Sequence, residues 1–164
     1  MQVDLGCGKR KVKNAIGIDA DPNSNADIIC NLGVEPIPLE SNSVDKVTAT
    51  QFFEHLADPI PVLNEVCRIL KKDGVLFIEV PHYSCHIAHG LGHKQYYSHK
   101  EIVRMLKYDV SYEIEIIKAE ISFYKSFRIV GIHYLANKFP TNYERFWAYI
   151  FPAENLKITA KVKK

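Results

Sequence analysis

The sequence has no apolar run approaching the roughly 20 residues that cross a bilayer, so no membrane span is expected. Its four cysteines, Cys7, Cys30, Cys67 and Cys85, stand far apart with no CxxC pair. Cys30 and Cys67 lie in apolar runs, where a free thiol behaves as a small buried hydrophobe, a usage that fits a reducing compartment, so a cytoplasmic protein is expected. The opening residues already read as strand, which leaves no signal peptide to expect. Charge of one sign is also lacking. The formal net charge is +2, and the densest basic groups are Lys9-Arg10-Lys11 with Lys13, and Lys161, Lys163 and Lys164. A nucleic-acid footprint would be more concentrated, so such a partner is disfavoured. Repeats and low-complexity tracts are absent. What remains is 164 residues at 47% hydrophobic and 24% charged, a globular composition sufficient for one domain over 1–164.

Residues 1–5, 15–19 (AIGID), 26–30 (ADIIC), 44–49 (VDKVTA) and 75–80 (VLFIEV) read as strands; 31–43, with two prolines and Ser-Asn-Ser, reads as loop. Asp58 is placed to cap a helix opening at Pro59, with Val62, Leu63, Val66, Ile69 and Leu70 on one apolar face. Lys71 and Lys72 suit its negative end, and Gly74 is expected to supply a left-handed stop. Ser98 and Glu101 form a capping box for a helix ending near Lys107. Residues 112–123 and the alternating 156–162 read as two more strands. Strands alternating with helices imply an α/β, doubly wound, mainly parallel sheet, whose ligand lies beyond the carboxyl ends of the strands. That gathers the turns at Gly6, Asp19, Asn31, Gln51 and Pro81 around one crevice.

Val3-Asp4-Leu5-Gly6-Cys7-Gly8 is an apolar strand running into two glycines, a turn in which backbone can approach a ligand closely. Asp19 ends the next strand, where a carboxylate can accept both hydroxyls of a ribose. A dinucleotide site would need a third glycine at the GxGxxG spacing and a helix terminus for the pyrophosphate. Lys9-Arg10-Lys11 follows instead. S-adenosylmethionine carries no phosphate, so the pattern favours it over a nicotinamide cofactor.

With VDLGCG, GIDADP, SVDKVTATQFFEHLADP and EVCRILKKDGVLFIEVP in this order, the chain resembles the class I S-adenosylmethionine-dependent methyltransferases, particularly the small type 11 group, from about Val3 to Ser98. The resemblance implies a Rossmann-like seven-stranded sheet of order 3-2-1-4-5-7-6 with the last strand antiparallel. It implies that Asp4 and the Gly6-Cys7-Gly8 backbone grip the methionine end of the cofactor and that Asp19 holds the ribose. Asn31 and Leu32 would flank the adenine, where the family more often has Asp in place of Asn31. Gln51 and Phe52 would line the sulfonium region, and Glu54-His55-Leu56 resembles the group's EHL signature. One departure stands out: nine residues, 6–14, separate the first two strands, fewer than a parallel crossover usually needs, so the usual helix there is expected to be shrunken or absent.

Residues 81–93 carry His82, His86, His89, His93 and Cys85. Their spacing matches no zinc pattern, and no carboxylate accompanies them, so no metal site is assigned. A histidine can instead take a proton from an acceptor as the methyl arrives; His82 and His93 are the candidates, with His55 a third, since relatives often show PH(Y/F)S and H(K/R)xFF(S/T). The expected activity is methyl transfer to a small-molecule or glycan-like acceptor. The alternative is a catalytically silent S-adenosylmethionine-binding module or the partner subunit of another enzyme. An aromatic segment, residues 124–151 with Tyr124, Phe127, Tyr134, Phe139, Tyr143, Phe146, Trp147, Tyr149 and Phe151, is expected to be helical in two pieces. It would serve as core, or as the contact for a dimer or partner subunit.

Overall fold

The computed structural model of the protein describes residues 1–125 and 131–164; Phe127 of the aromatic segment lies outside them. The strands are β1 (Gln2–Leu5), β2 (Ile16–Asp19), β3 (Ile28–Ile29), β4 (Val44–Thr50), β5 (Leu70–Pro81), β6 (Glu113–Ile121) and β7 (Asn155–Lys163). They form one sheet in the order β3-β2-β1-β4-β5-β7-β6. The pairs from β3 through β5 are parallel, and β7 runs antiparallel between β5 and β6. Among the described residues the α-helices are α1 (Ile60–Ile69), α2 (His99–Arg104), α3 (Ile132–Lys138) and α4 (Pro140–Phe146). Among the described residues no helix is long and apolar enough to cross a membrane.

Burial explains why these residues take these places. Val3, Leu5, Val47, Ala49, Ile78 and Val80 are buried in the central strands, and β7 alternates buried and half-buried along its length, as a period of two requires. Helix α1 buries Val62, Leu63, Val66, Cys67 and Ile69. Asp58 Oδ1 accepts from Ile60 N at 2.9 Å, satisfying one of the orphan donors of its first turn. Ser98 likewise accepts from Glu101 N at the start of α2, at 3.1 Å; a single π turn, Met105–Asp109, prolongs that helix. The four cysteines are free and buried, as small apolar side chains.

Gly74 does not supply the stop of α1. The helix ends at Ile69 because Leu70 is already extended, at φ −64° and ψ 141°, and pairs with Val44 of β4. The left-handed residue is Asp73, at φ 59°. Gly74 is required by close approach instead, since a Cβ there would lie 2.8 Å from the Lys71 carbonyl oxygen.

The first crossover carries no helix. Residues 6–15 link β1 to β2, and side-chain carboxylates hold the loop where helix packing would otherwise do so. Asp4 Oδ2 accepts from Val12 N at 2.8 Å, and Lys11 Nζ meets Asp27, whose Oδ2 also accepts from Gly17 N at 2.8 Å.

Candidate functional site

The site begins where β1 runs out. Leu5 is buried, and the chain then takes left-handed backbone at Gly6 (φ 62°) and Gly8 (φ 50°), conformations that cost a side-chain-bearing residue energy. Gly6 N donates to the Ile18 carbonyl at 2.8 Å, turning the strand end toward β2. Gly8 N donates to Asp19 Oδ2 at 2.8 Å, and Asp21 N donates to Oδ1 at 2.9 Å. Asp19 is thus fixed by two backbone donors, and each oxygen keeps a lone pair for a hydroxyl group. Asp4 is only 3% exposed; burial pushes its carboxyl above the ordinary range, opposed by the bond from Val12 N. The Cys7 thiol faces inward, where a Cβ on Gly17 would come within 2.8 Å of its sulfur, so Cys7 offers the site its backbone. Burial pushes that thiol up as well, aided by Asp19 and Asp4.

The opposite wall comes from the ends of β3 and β4. Gln51 has left-handed backbone (φ 53°); its N–H donates to the Glu79 carbonyl at 2.8 Å and its Nε2 to Asn155 Oδ1 at 3.2 Å. These bonds tie the tip of β4 to β5 and β7. The Phe52 ring lies flush on Gly6, so that a Cβ there would sit 2.4 Å from Phe52 Cδ2. Leu32 is buried, and Asn31 N donates to Glu35 Oε2 at 2.8 Å. Gly6, Asp19, Ala20, Cys30, Asn31, Leu32, Gln51, Phe52, His55 and Leu56 enclose a cleft of about 390 Å³. A second hollow of about 490 Å³, bounded by Asp4, Cys7, Gly8 and Thr50 among others, shares Gly6 and Gln51 with it. All nine residues expected to hold a cofactor therefore line two adjoining hollows at the carboxyl ends of the strands, sized for small-molecule ligands.

The histidines divide. His82 is 0% exposed and lines neither hollow. Its Nδ1 lies 2.8 Å from Ser84 Oγ and its Nε2 3.1 Å from Glu144 Oε1, which leaves no face for an acceptor. Glu144 also accepts from His99 N. Burial raises the Glu144 carboxyl, but the His82 and His99 bonds outweigh that and hold it below the ordinary range. His55 lines the cleft, and His93 packs edge-on against it, with ring centroids 4.7 Å apart. His82, Cys85, His86 and His89 do not gather as ligands; among the described residues the one such cluster is Glu54, His55 and His93. Sequence reasoning missed Glu54 as a site residue, although the EHL signature contained it.

A doubly wound sheet of this order, with its cleft at a glycine turn and an acid ending the second strand, is the fold of the class I S-adenosylmethionine-dependent methyltransferases. Residues 3–78 match the family model described as the methyltransferase domain, which bears out the resemblance seen in the sequence over those residues. The chain is similar in structure to S-adenosylmethionine-dependent methyltransferases of Thermotoga maritima (14% identity, TM-score 0.65, covering 99% of this chain and 82% of that one) and Archaeoglobus fulgidus (20%, 0.62, 98% and 85%). It is also similar to the methyltransferase of Haloferax volcanii solved in complex with the Trm112 methyltransferase activator (20%, 0.62, 99% and 82%). No curated protein sequence matches it. The cofactor these findings imply is S-adenosylmethionine.

Proposed function

We propose that residues 1–164 act as one domain that transfers a methyl group from S-adenosylmethionine to a small-molecule or glycan-like acceptor. The observation that carries this reading is the convergence of Gly6, Asp19, Asn31, Leu32, Gln51 and Phe52, from four strand ends, on one cleft. The residues fit the cofactor. Asp19 has lone pairs left for two ribose hydroxyls, Leu32 and Phe52 give apolar walls, and the space beside Gly8 is open to 4 Å. When bound, the cofactor supplies an electrophilic methyl on a sulfonium. The chain's own contribution is positioning: holding the methionine end on the Gly6-to-Gly8 backbone and aligning an acceptor in line with the carbon–sulfur bond. His55 stands at the cleft for a proton that a hydroxyl or amine acceptor must lose; His82, enclosed and doubly bonded, is not given that role.

Calorimetry with S-adenosylhomocysteine tests the reading. Binding to the wild type should weaken on the order of 10- to 100-fold in Asp19→Ala, the equivalent of one or two charge-assisted hydrogen bonds. No binding by the wild type, or full affinity in the variant, refutes it.

A second reading is a cofactor-binding subunit that works with a partner protein. It is favoured by the exposed apolar face around α3 and α4, where Leu135, Phe139, Phe146, Trp147, Tyr149 and Ile150 are all about half exposed or more. The Haloferax volcanii neighbour was solved with an activator protein. Methyl transfer by this chain alone would end this reading.

A further inference from the structure

Glu54 is 1% exposed, and neither of its carboxylate oxygens has a hydrogen-bond partner among the described residues. A buried carboxylate is ordinarily paired, hydrogen-bonded or bound to a metal, so an orphaned one calls for a missing partner. Two histidines stand beside it. His55 Nδ1 lies 3.3 Å from the Gly92 carbonyl oxygen, and His93 Nδ1 lies 2.9 Å from that of Ala88. A carbonyl can only accept, so in both rings Nδ1 carries the hydrogen; a neutral ring then keeps its Nε2 lone pair free. Metal-binding histidines are oriented in this way, by a backbone or carboxylate acceptor on the far nitrogen.

The three side chains are also held together. Lys94 N and Gln95 N donate to the Glu54 carbonyl oxygen at 2.7 and 3.1 Å, which staples the chain just past His93 to the 3₁₀ turn Phe53–His55. One ligand atom from each of Glu54, His55 and His93 lies within 4.8 Å of the others. We propose that Glu54, His55 and His93 bind a divalent transition-metal ion of zinc-like preference at the wall of the cofactor cleft. Two imidazoles and one carboxylate are the donor types such ions take, and three protein ligands leave a position open, the pattern of catalytic rather than structural zinc sites. His55 lines the cleft, so a bound ion would stand beside it; with its Nε2 lone pair on the ion, His55 would no longer take the acceptor's proton itself, and the ion would ease that deprotonation instead. The metal site stands on its own geometry; its use in methyl transfer rests on the function proposed above.

The test is titration of chelator-treated full chain with zinc, and with cobalt(II) followed by its visible absorption, alongside melting curves. The expected result is one zinc per chain, with affinity reduced about 100-fold or more in Glu54→Gln and His93→Ala, in line with the weight of metal-site residues, and retained in His86→Ala. Metal-free Glu54→Gln should melt no lower than the wild type, because it removes an unpartnered buried acid, and zinc should raise the melting temperature of the wild type but not of this variant. No zinc binding by folded wild type, or undiminished affinity in either Glu54→Gln or His93→Ala, overturns the proposal. S-adenosylhomocysteine affinity measured on the same samples separates this failure from failure of the cofactor reading.

Discussion

Gly6 is held by two demands at once. Its backbone is left-handed, and the Phe52 ring occupies the place a Cβ would take. Gly6→Ala should therefore cost about 1–2 kcal/mol from the backbone alone, and it should also push Phe52 out of the cleft wall. The check pairs urea unfolding with calorimetry. S-adenosylhomocysteine affinity should fall by more than the stability loss explains, and full affinity in a folded variant would remove Phe52 from the site. Gly8 is the useful contrast, since nothing lies within 4 Å of a Cβ there and strain is its only penalty. Residues such as these were legible in the sequence because glycine and a strand-ending acid act through local backbone geometry. Glu54 with His93, and His82 with Glu144, were not. Their meeting depends on how residues 82–97 fold back, and no local pattern encodes that path.

At the scale of elements, loop 31–43 is fastened to α1 through the Glu65–Arg68 pair, beside backbone bonds from Asn42 N and Ser43 N to the Arg68 and Ile69 carbonyls. Arg68 Nε and Nη2 each donate to Glu65 at 2.8 Å, while its Nη1 and Nη2 donate to the Leu39 and Ile37 carbonyls at 2.8 Å. Ile37 N donates to Glu65 Oε2 at 2.9 Å. The Arg68 guanidinium is the main cause holding the Glu65 carboxyl below its ordinary range, with the Ile37 bond assisting against burial. An acid depressed in the folded state adds stability that is complete above its unfolded pKa, near 4.3, and is lost as pH falls through the lower folded value. Acid unfolding should therefore show the wild-type advantage over Glu65→Gln shrinking below about pH 4; an advantage that persists unchanged would mean the charge is not what fastens the loop. Element boundaries show the same limit of local reading. The motif Lys71-Lys72-Asp73-Gly74 has the composition of a helix end, yet α1 stops earlier because Leu70 belongs to the sheet. Tertiary pairing outweighs the local signal there.

For the whole molecule, a ligand that binds only the folded state stabilises it by mass action. At 100 times its dissociation constant, S-adenosylhomocysteine should contribute about 2.7 kcal/mol, which for a chain of this length raises the melting temperature by roughly 5–10 °C. Scanning calorimetry across a ligand series should give a shift that grows with the logarithm of concentration, and a flat series would count against binding. The sheet order is the one that the resemblance to the class I methyltransferases implied, and it is the order observed.

That order also governs how the protein is made. Strand β7 lies between β5 and β6, although it follows both in the chain. Until Asn155–Lys163 leaves the ribosome, Val75–Pro81 and the facing side of Glu113–Ile121 have no neighbour on their shared edge, and each is a template for unwanted strand pairing. The half of the molecule that carries the glycine turn has its strand partners within residues 1–81, while the other half has to wait for its keystone. Any nascent chain stalled before residue 155 is a sheet with an open slot.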